Sequence, residues 1–113
     1  LEMYLGMSQE AADSIKARGT DEGDKLKEAG NIHWIDHNTG ATNSSGFTAL
    51  PSGYRYPKVG FSFLGESANY WTSTDNENNV PWWRGLGSGA SKVFRLGSLN
   101  SKTAGQSVRC VKD

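Results

Sequence analysis

Four short segments near the C-terminus constrain the fold more than any other part of the chain: residues 70–74, 81–86, 92–96 and 106–111. Each is rich in aromatic or β-branched residues, and clusters of Gly, Asn and Ser separate one from the next. Such spacing predicts short strands joined by tight turns, that is, an antiparallel meander. At 113 residues the chain supports one compact domain, residues 1–113, so this sheet is expected to be its main framework. The apolar share of 35% is lean for a core, but 4 Trp, 4 Tyr and 4 Phe bring much buried area per residue. No fixed-period repeat or low-complexity tract is present.

The helical signal sits in residues 1–30. Leu1, Tyr4 and Leu5 fall at i, i+3 and i+4, and Ser8 is placed to cap a second short helix with Ala11, Ala12 and Ile15 on one face, ended by Arg18-Gly19. Thr20 is the next cap candidate, followed by Asp21 and Glu22, whose charges suit a helix start, with Gly30 as the expected stop. Between residues 31 and 65 turn chemistry dominates, interrupted by Trp34, Phe47, Tyr54, Tyr56, Phe61 and Phe63. So many rings predict ordered loops that the aromatics anchor to the core.

Twelve Lys plus Arg balance twelve Asp plus Glu, which removes the basic excess that drives binding to a nucleic-acid backbone. A mean hydropathy of −0.61 and the lack of an apolar run near twenty residues exclude a membrane-spanning helix. Leu1-Glu2-Met3-Tyr4-Leu5 lacks the basic region and apolar stretch of a signal peptide, so the chain reads as a mature product or an excised piece. One cysteine, Cys110, permits no internal disulfide; it is a buried thiol, a reactive thiol, or half of a bridge to a partner outside the chain.

Several phrases together resemble one family: Gly19-Thr20-Asp21-Glu22-Gly23 with Lys25-Leu26-Lys27, Asn38-Thr39-Gly40-Ala41-Thr42-Asn43, Gly46-Phe47-Thr48-Ala49-Leu50-Pro51 with Gly53-Tyr54-Arg55, Tyr70-Trp71-Thr72-Ser73-Thr74, and Ser107-Val108-Arg109-Cys110-Val111-Lys112-Asp113. In order and spacing they are similar to the Fibrobacter succinogenes major paralogous domain, found in surface and secreted proteins of Bacteroidetes. The resemblance covers the C-terminal two-thirds of that domain, whose further N-terminal stretch is not in this sequence. It implies an α+β, C-type-lectin-like fold: short N-terminal helices flanking a twisted antiparallel sheet, with long ordered loops. For Cys110 it implies half of a disulfide to the N-terminal stretch, and hence a free thiol here.

The period of two along the last strands sets Trp82, Arg84 and Leu86 against Trp83 and Gly85, and Val93 and Arg95 against Lys92, Phe94 and Leu96. The resemblance implies that the first member of each contrast is the fixed set. Trp82, Leu86, Val93 and Val108 are then expected in the core, with Arg84, Arg95 and Arg109 as structural hydrogen-bonding residues. Trp83, Ser88, Lys92, Phe94, Leu96 and Ser98 become the candidate ligand surface, because rings give rigid contact area and stack on sugars or peptide side chains. The plainer reading has the same rings packed beneath neighbouring loops.

Other constellations are weaker. Asp75-Asn76-Glu77-Asn78-Asn79 offers hard oxygen ligands for calcium but lacks EF-hand spacing and the Glu-Pro-Asn or Trp-Asn-Asp motifs of calcium-dependent lectins, so a solvated turn is the better reading. His33 and His37 lie four apart, yet Asn38-Thr39-Gly40 makes that region a turn and there is no third zinc ligand at a diagnostic distance. Gly85-Leu86-Gly87-Ser88-Gly89 has no Walker lysine or following helix to cradle a phosphate. An enzyme is not expected, since a lone cysteine cannot supply the paired thiols of the formylglycine-generating oxidase, which has a related fold. The expectation is a non-enzymatic extracellular or cell-surface module without cofactor. Its partner would be a glycan or a cell-surface protein; a retroelement-diversified receptor and a structural adhesin or fibre domain within a larger surface protein are the alternatives.

Overall fold

The structure, a computed structural model, describes residues 1–35, 37, 38, 40–97 and 102–112. The chain opens with hydrogen-bonded turns in which Leu5 N–H reaches the Leu1 and Glu2 carbonyls, so the expected first helix is replaced by a tight coil. Helix α1 (Gln9–Asp13) starts where Ser8 accepts from the Ala11 N–H, as its sequence predicts. It ends before Ile15, which is 57% exposed rather than on a buried face. Strand β1 (Lys16–Arg18) and helix α2 (Glu22–Leu26) follow. Asp21, not Thr20, is the N-cap of α2, without a side-chain capping bond, and the helix stops well before Gly30.

The short α2 is finished by the loop after it. Thr42 N–H donates to the Asp24 carbonyl, Ser45 N–H to Lys25 and Ala49 N–H to Leu26, so backbone amides of the turn-rich segment satisfy the last carbonyls of the helix. Trp34 lies 1% exposed under this loop and donates its indole N–H to the Ala49 carbonyl at 3.0 Å. Anchoring by aromatics therefore holds for Trp34 and for the partly buried Phe47. It fails for Tyr56, Phe61 and Phe63, which are exposed on a separate hairpin, β2 (Tyr54–Tyr56) and β3 (Gly60–Ser62).

Strands β4 (Ser67–Asp75), β5 (Pro81–Gly87) and β6 (Val93–Leu96) form the expected antiparallel meander. Strand β1 completes the four-stranded sheet in the order β1-β6-β5-β4, pairing Lys16 with Arg95. The predicted fourth strand over 106–111 does not form. β-type pairing is confined to bridges from Gly105 to Arg55 and Ser107 to Tyr70; residues 108–111 run on without pairing, beside Phe47, Tyr70 and Trp71. Val108 is in consequence 75% exposed, not a core residue, and Cys110 is an exposed free thiol rather than part of a buried strand.

The core lies on one face of the sheet: Leu86, Val93 and Ala68 from the strands, Leu26 from α2, and Met7, Trp34 and Ala49 from the coils. Burial of this apolar area is the main stabilising term. Leu86 and Val93 meet the sequence expectation; Trp82 is half-buried and stands apart from this cluster. The sheet and two short helices make the chain α+β.

Candidate ligand-binding surface

Cross-strand register decides which side chains share the second face of the sheet. Trp71 pairs with Trp83 and Trp83 with Leu96; one row along, Asn69 pairs with Gly85, Gly85 with Phe94, and Phe94 with Ala17. Side chains alternate along a strand, so these two rows stand on the side opposite Leu86 and Val93. A Cβ built on Gly85 would come within 2.9 Å of the Trp83 ring and 3.0 Å of Asn69 Oδ1, so the Trp83 ring lies over this glycine. Trp71, Trp83, Phe94 and Leu96 form a half-buried apolar band that is not among the residues packed against the core. Trp83, Phe94 and Leu96 thus share a face as their spacing predicts, half-buried instead of standing fully in solvent.

The loop between β5 and β6 carries Ser88, half-buried, and Lys92, exposed. Its shape is set from below by a buried cation. Lys27 Nζ, on a side chain 1% exposed, donates to the carbonyls of Gly87 at 3.2 Å, Ser88 at 3.2 Å and Ala90 at 3.0 Å. The same ammonium pairs with Asp24 at 3.0 Å and sits 5.6 Å from the centroid of the Trp34 ring. Gly23 N–H donates to the Ser91 carbonyl at 2.8 Å, and a Cβ on Gly23 would lie 2.6 Å from that oxygen. The motif that resembles the family, Gly23 through Lys27, therefore serves to hold the 88–92 loop. Ser98 lies outside the described residues.

The arginines expected to be structural act in different ways. Arg84 donates from Nε to Glu2 at 2.8 Å, and the same carboxylate accepts from Arg18 Nη2 at 2.6 Å, an arginine not among those expected. Burial lowers the Arg84 guanidinium from its ordinary value and the Glu2 carboxylate opposes that shift. Arg95 donates to the Asp13 carbonyl and stacks 4.2 Å over the Trp82 ring, whereas Arg109, exposed, lies 4.8 Å over Phe47.

Trp82 and Arg95 also line an open depression of about 440 Å³ with Asp75, Asn76, Glu77 and Asn78. The turn is internally organised: Asn76 Oδ1 accepts from the Asn78 and Val80 amides at 2.9 and 3.0 Å. That is turn chemistry, and among the described residues no group of three His, Cys, Asp or Glu is placed to share a metal ion. His33 faces Glu28 at 3.0 Å, remote in role from any zinc cluster. The ring, guanidinium and carboxylates of this depression were not combined by the sequence reading. Only the pairing of β5 with β6 and the extra residues that β4 inserts between Trp71 and Asp75 bring them together.

An α+β domain with a packed inner face and an aromatic outer face is the class that this architecture defines. The family model for the Fibrobacter succinogenes major domain matches residues 1–112, and the chain belongs to that family. No curated protein and no solved structure matches it. Among the described residues no helix is long and apolar enough to cross a membrane.

Proposed function

We propose that this chain is a non-enzymatic binding module of C-type-lectin-like fold, displayed outside the cell, that recognises a surface glycan or protein through the outer face of β5 and β6 and the loop between them. The band formed by Trp71, Trp83, Phe94 and Leu96 carries the reading: large rings kept out of the core, on a sheet whose inner face is occupied by Leu86 and Val93. Rigid rings supply contact area at low entropic cost. Lys92 and Ser88 add a cation and a hydroxyl at the loop end, and the Lys27 anchor keeps that loop in one shape before a ligand arrives.

The test is binding of the labelled domain to glycan and cell-surface-protein arrays with and without a calcium chelator. Trp83→Ala with Phe94→Ala is expected to weaken any hit by at least about tenfold while the domain stays folded, as expected for loss of central aromatic contacts. Unchanged binding by a folded double variant removes this surface from consideration. Loss of binding on chelation alone would move the site to Asp75 and Glu77.

A further inference from the structure

Residues 51–65 fold into the β2–β3 hairpin, outside the surface just described, and leave apolar side chains in water. Phe61 is 84% exposed, Leu64 79%, Val59 75%, Phe63 50% and Tyr56 43%. Ile35, 49% exposed, continues the patch, because its amide donates to the Gly65 carbonyl at 2.9 Å. Isolated exposed hydrophobics are ordinary, but a cluster of this size marks an interaction surface. Rings also pack within the hairpin: Tyr54 lies edge-on against Tyr56 at 5.0 Å and stacks on Phe63 at 5.3 Å.

Two features select the occupant. The strands and tip of the hairpin, residues 54–62, contain Arg55 and Lys58 and no carboxylate, the next one being the exposed Glu66 at its base, so the tip is locally positive in a chain that is neutral overall. Arg55 is paired in register with Phe61, and Lys58 precedes Val59 at the tip, so cations and apolar groups alternate over one small element. Exposed groups also occupy both faces of the hairpin: Tyr56, beside the half-buried Tyr54, stands on one, and Arg55 and Phe61 on the other. A rigid protein partner covers one face of a hairpin; a soft medium surrounds both.

We propose that the β2–β3 hairpin is a peripheral docking element for an anionic phospholipid surface. Val59, Phe61 and Leu64 enter the boundary of the acyl region, Tyr56 and Phe63 sit at headgroup level, and Arg55 and Lys58 meet lipid phosphates. Nothing in this requires a spanning segment.

The experiment is co-sedimentation of the full chain with phosphatidylcholine vesicles, with and without phosphatidylglycerol, at low and high salt. The expected result is binding to the phosphatidylglycerol vesicles that falls with salt. Val59→Ser with Phe61→Ser should reduce it by at least about tenfold, and Arg55→Gln with Lys58→Gln by several-fold with loss of the salt effect. Val59 and Phe61 are too exposed to be needed for folding, which far-UV circular dichroism of each variant verifies. Failure of the wild-type chain to bind either vesicle overturns the proposal, as does full binding by the Val59/Phe61 variant. Self-association that depends on the hairpin, without vesicle binding, overturns it too and assigns the patch to a protein contact. Retained vesicle binding by Trp83→Ala with Phe94→Ala keeps this element distinct from the proposed ligand surface.

Discussion

The β5–β6 loop and the β2–β3 tip are both short hairpin connections, and the molecule holds them in opposite ways. Beneath residues 88–92 the ammonium of Lys27, the C-cap of α2, binds three carbonyls, and the Gly23 amide binds a fourth. Within residues 57–59 the backbone bond is local, from Val59 N–H to the Tyr56 carbonyl at 3.3 Å. The contrast shows that a turn's own residues set its path, whereas distant polar groups set its rigidity. A pinned loop suits recognition by preformed shape, and an unpinned apolar tip suits a yielding partner.

Removing the anchor is the most severe way to break this contrast. Lys27→Met leaves Asp24 and three carbonyls without their cation, and it is expected to cost about 3–5 kcal/mol in urea denaturation. Amide exchange over residues 88–92 should then approach that of the 57–59 tip; slow exchange in a folded variant would show that the anchor is not what orders the loop. A gentler version is Gly23→Ala, whose Cβ would press on the Ser91 and Lys92 carbonyl oxygens at 2.6 and 2.7 Å. It should destabilise by about 1–3 kcal/mol and displace the loop, visible as amide shift changes confined to residues 87–93.

The four-stranded sheet and the β2–β3 hairpin each carry a tyrosine whose phenol is raised above its ordinary value. For Tyr70, on the sheet, burial is the main cause; for Tyr54, in the hairpin, burial leads and the neighbouring Tyr56 adds to it. A raised folded value means that the stabilisation is full below the unfolded pKa, about 10, and is lost as pH rises through the higher folded one. Stability measured from pH 8 upward should decline in that window, and Tyr70→Phe should flatten the decline more than Tyr54→Phe, since Tyr54 is the less buried from charge-screening water. The smallest effect is expected at the tip, where Lys58→Ala with Val59→Ser should change stability by no more than about 0.5 kcal/mol. A larger loss there would mean that the tip contributes to the fold and would weaken its reading as an interaction element.

Much of the framework was legible. Ser8 capping α1 and the three strands of the meander follow from residue type and spacing alone. Strand β1 was not: Lys16-Ala17-Arg18 has no apolar alternation and becomes a strand because β6 offers an edge, while Arg18 is buried because Glu2 neutralises it. The final segment has the composition of a strand yet lacks a partner beyond Ser107, and composition cannot supply one. Lys27 reads in sequence like any surface lysine; its burial depends on carbonyls some sixty residues away in the chain. At the site, alternation separated Trp83, Phe94 and Leu96 from Leu86 and Val93, but it could not join Trp71 to that row or Trp82 to Arg95. Those neighbours are created by register, which no single strand encodes.

The pairing of β1 with β6 has a kinetic meaning. Lys16 meets Arg95, Gly23 meets Ser91 and Lys27 meets Gly87, so the first quarter of the chain finds its partners only when the last quarter is present. Closing loops of that length before any contact rewards them slows folding. On a ribosome the N-terminal third would emerge with its charged residues still in water and its sheet edge absent, and the structure would assemble late, almost all at once. The chain is thereby suited to remaining unfolded until residues 87–95 have been made.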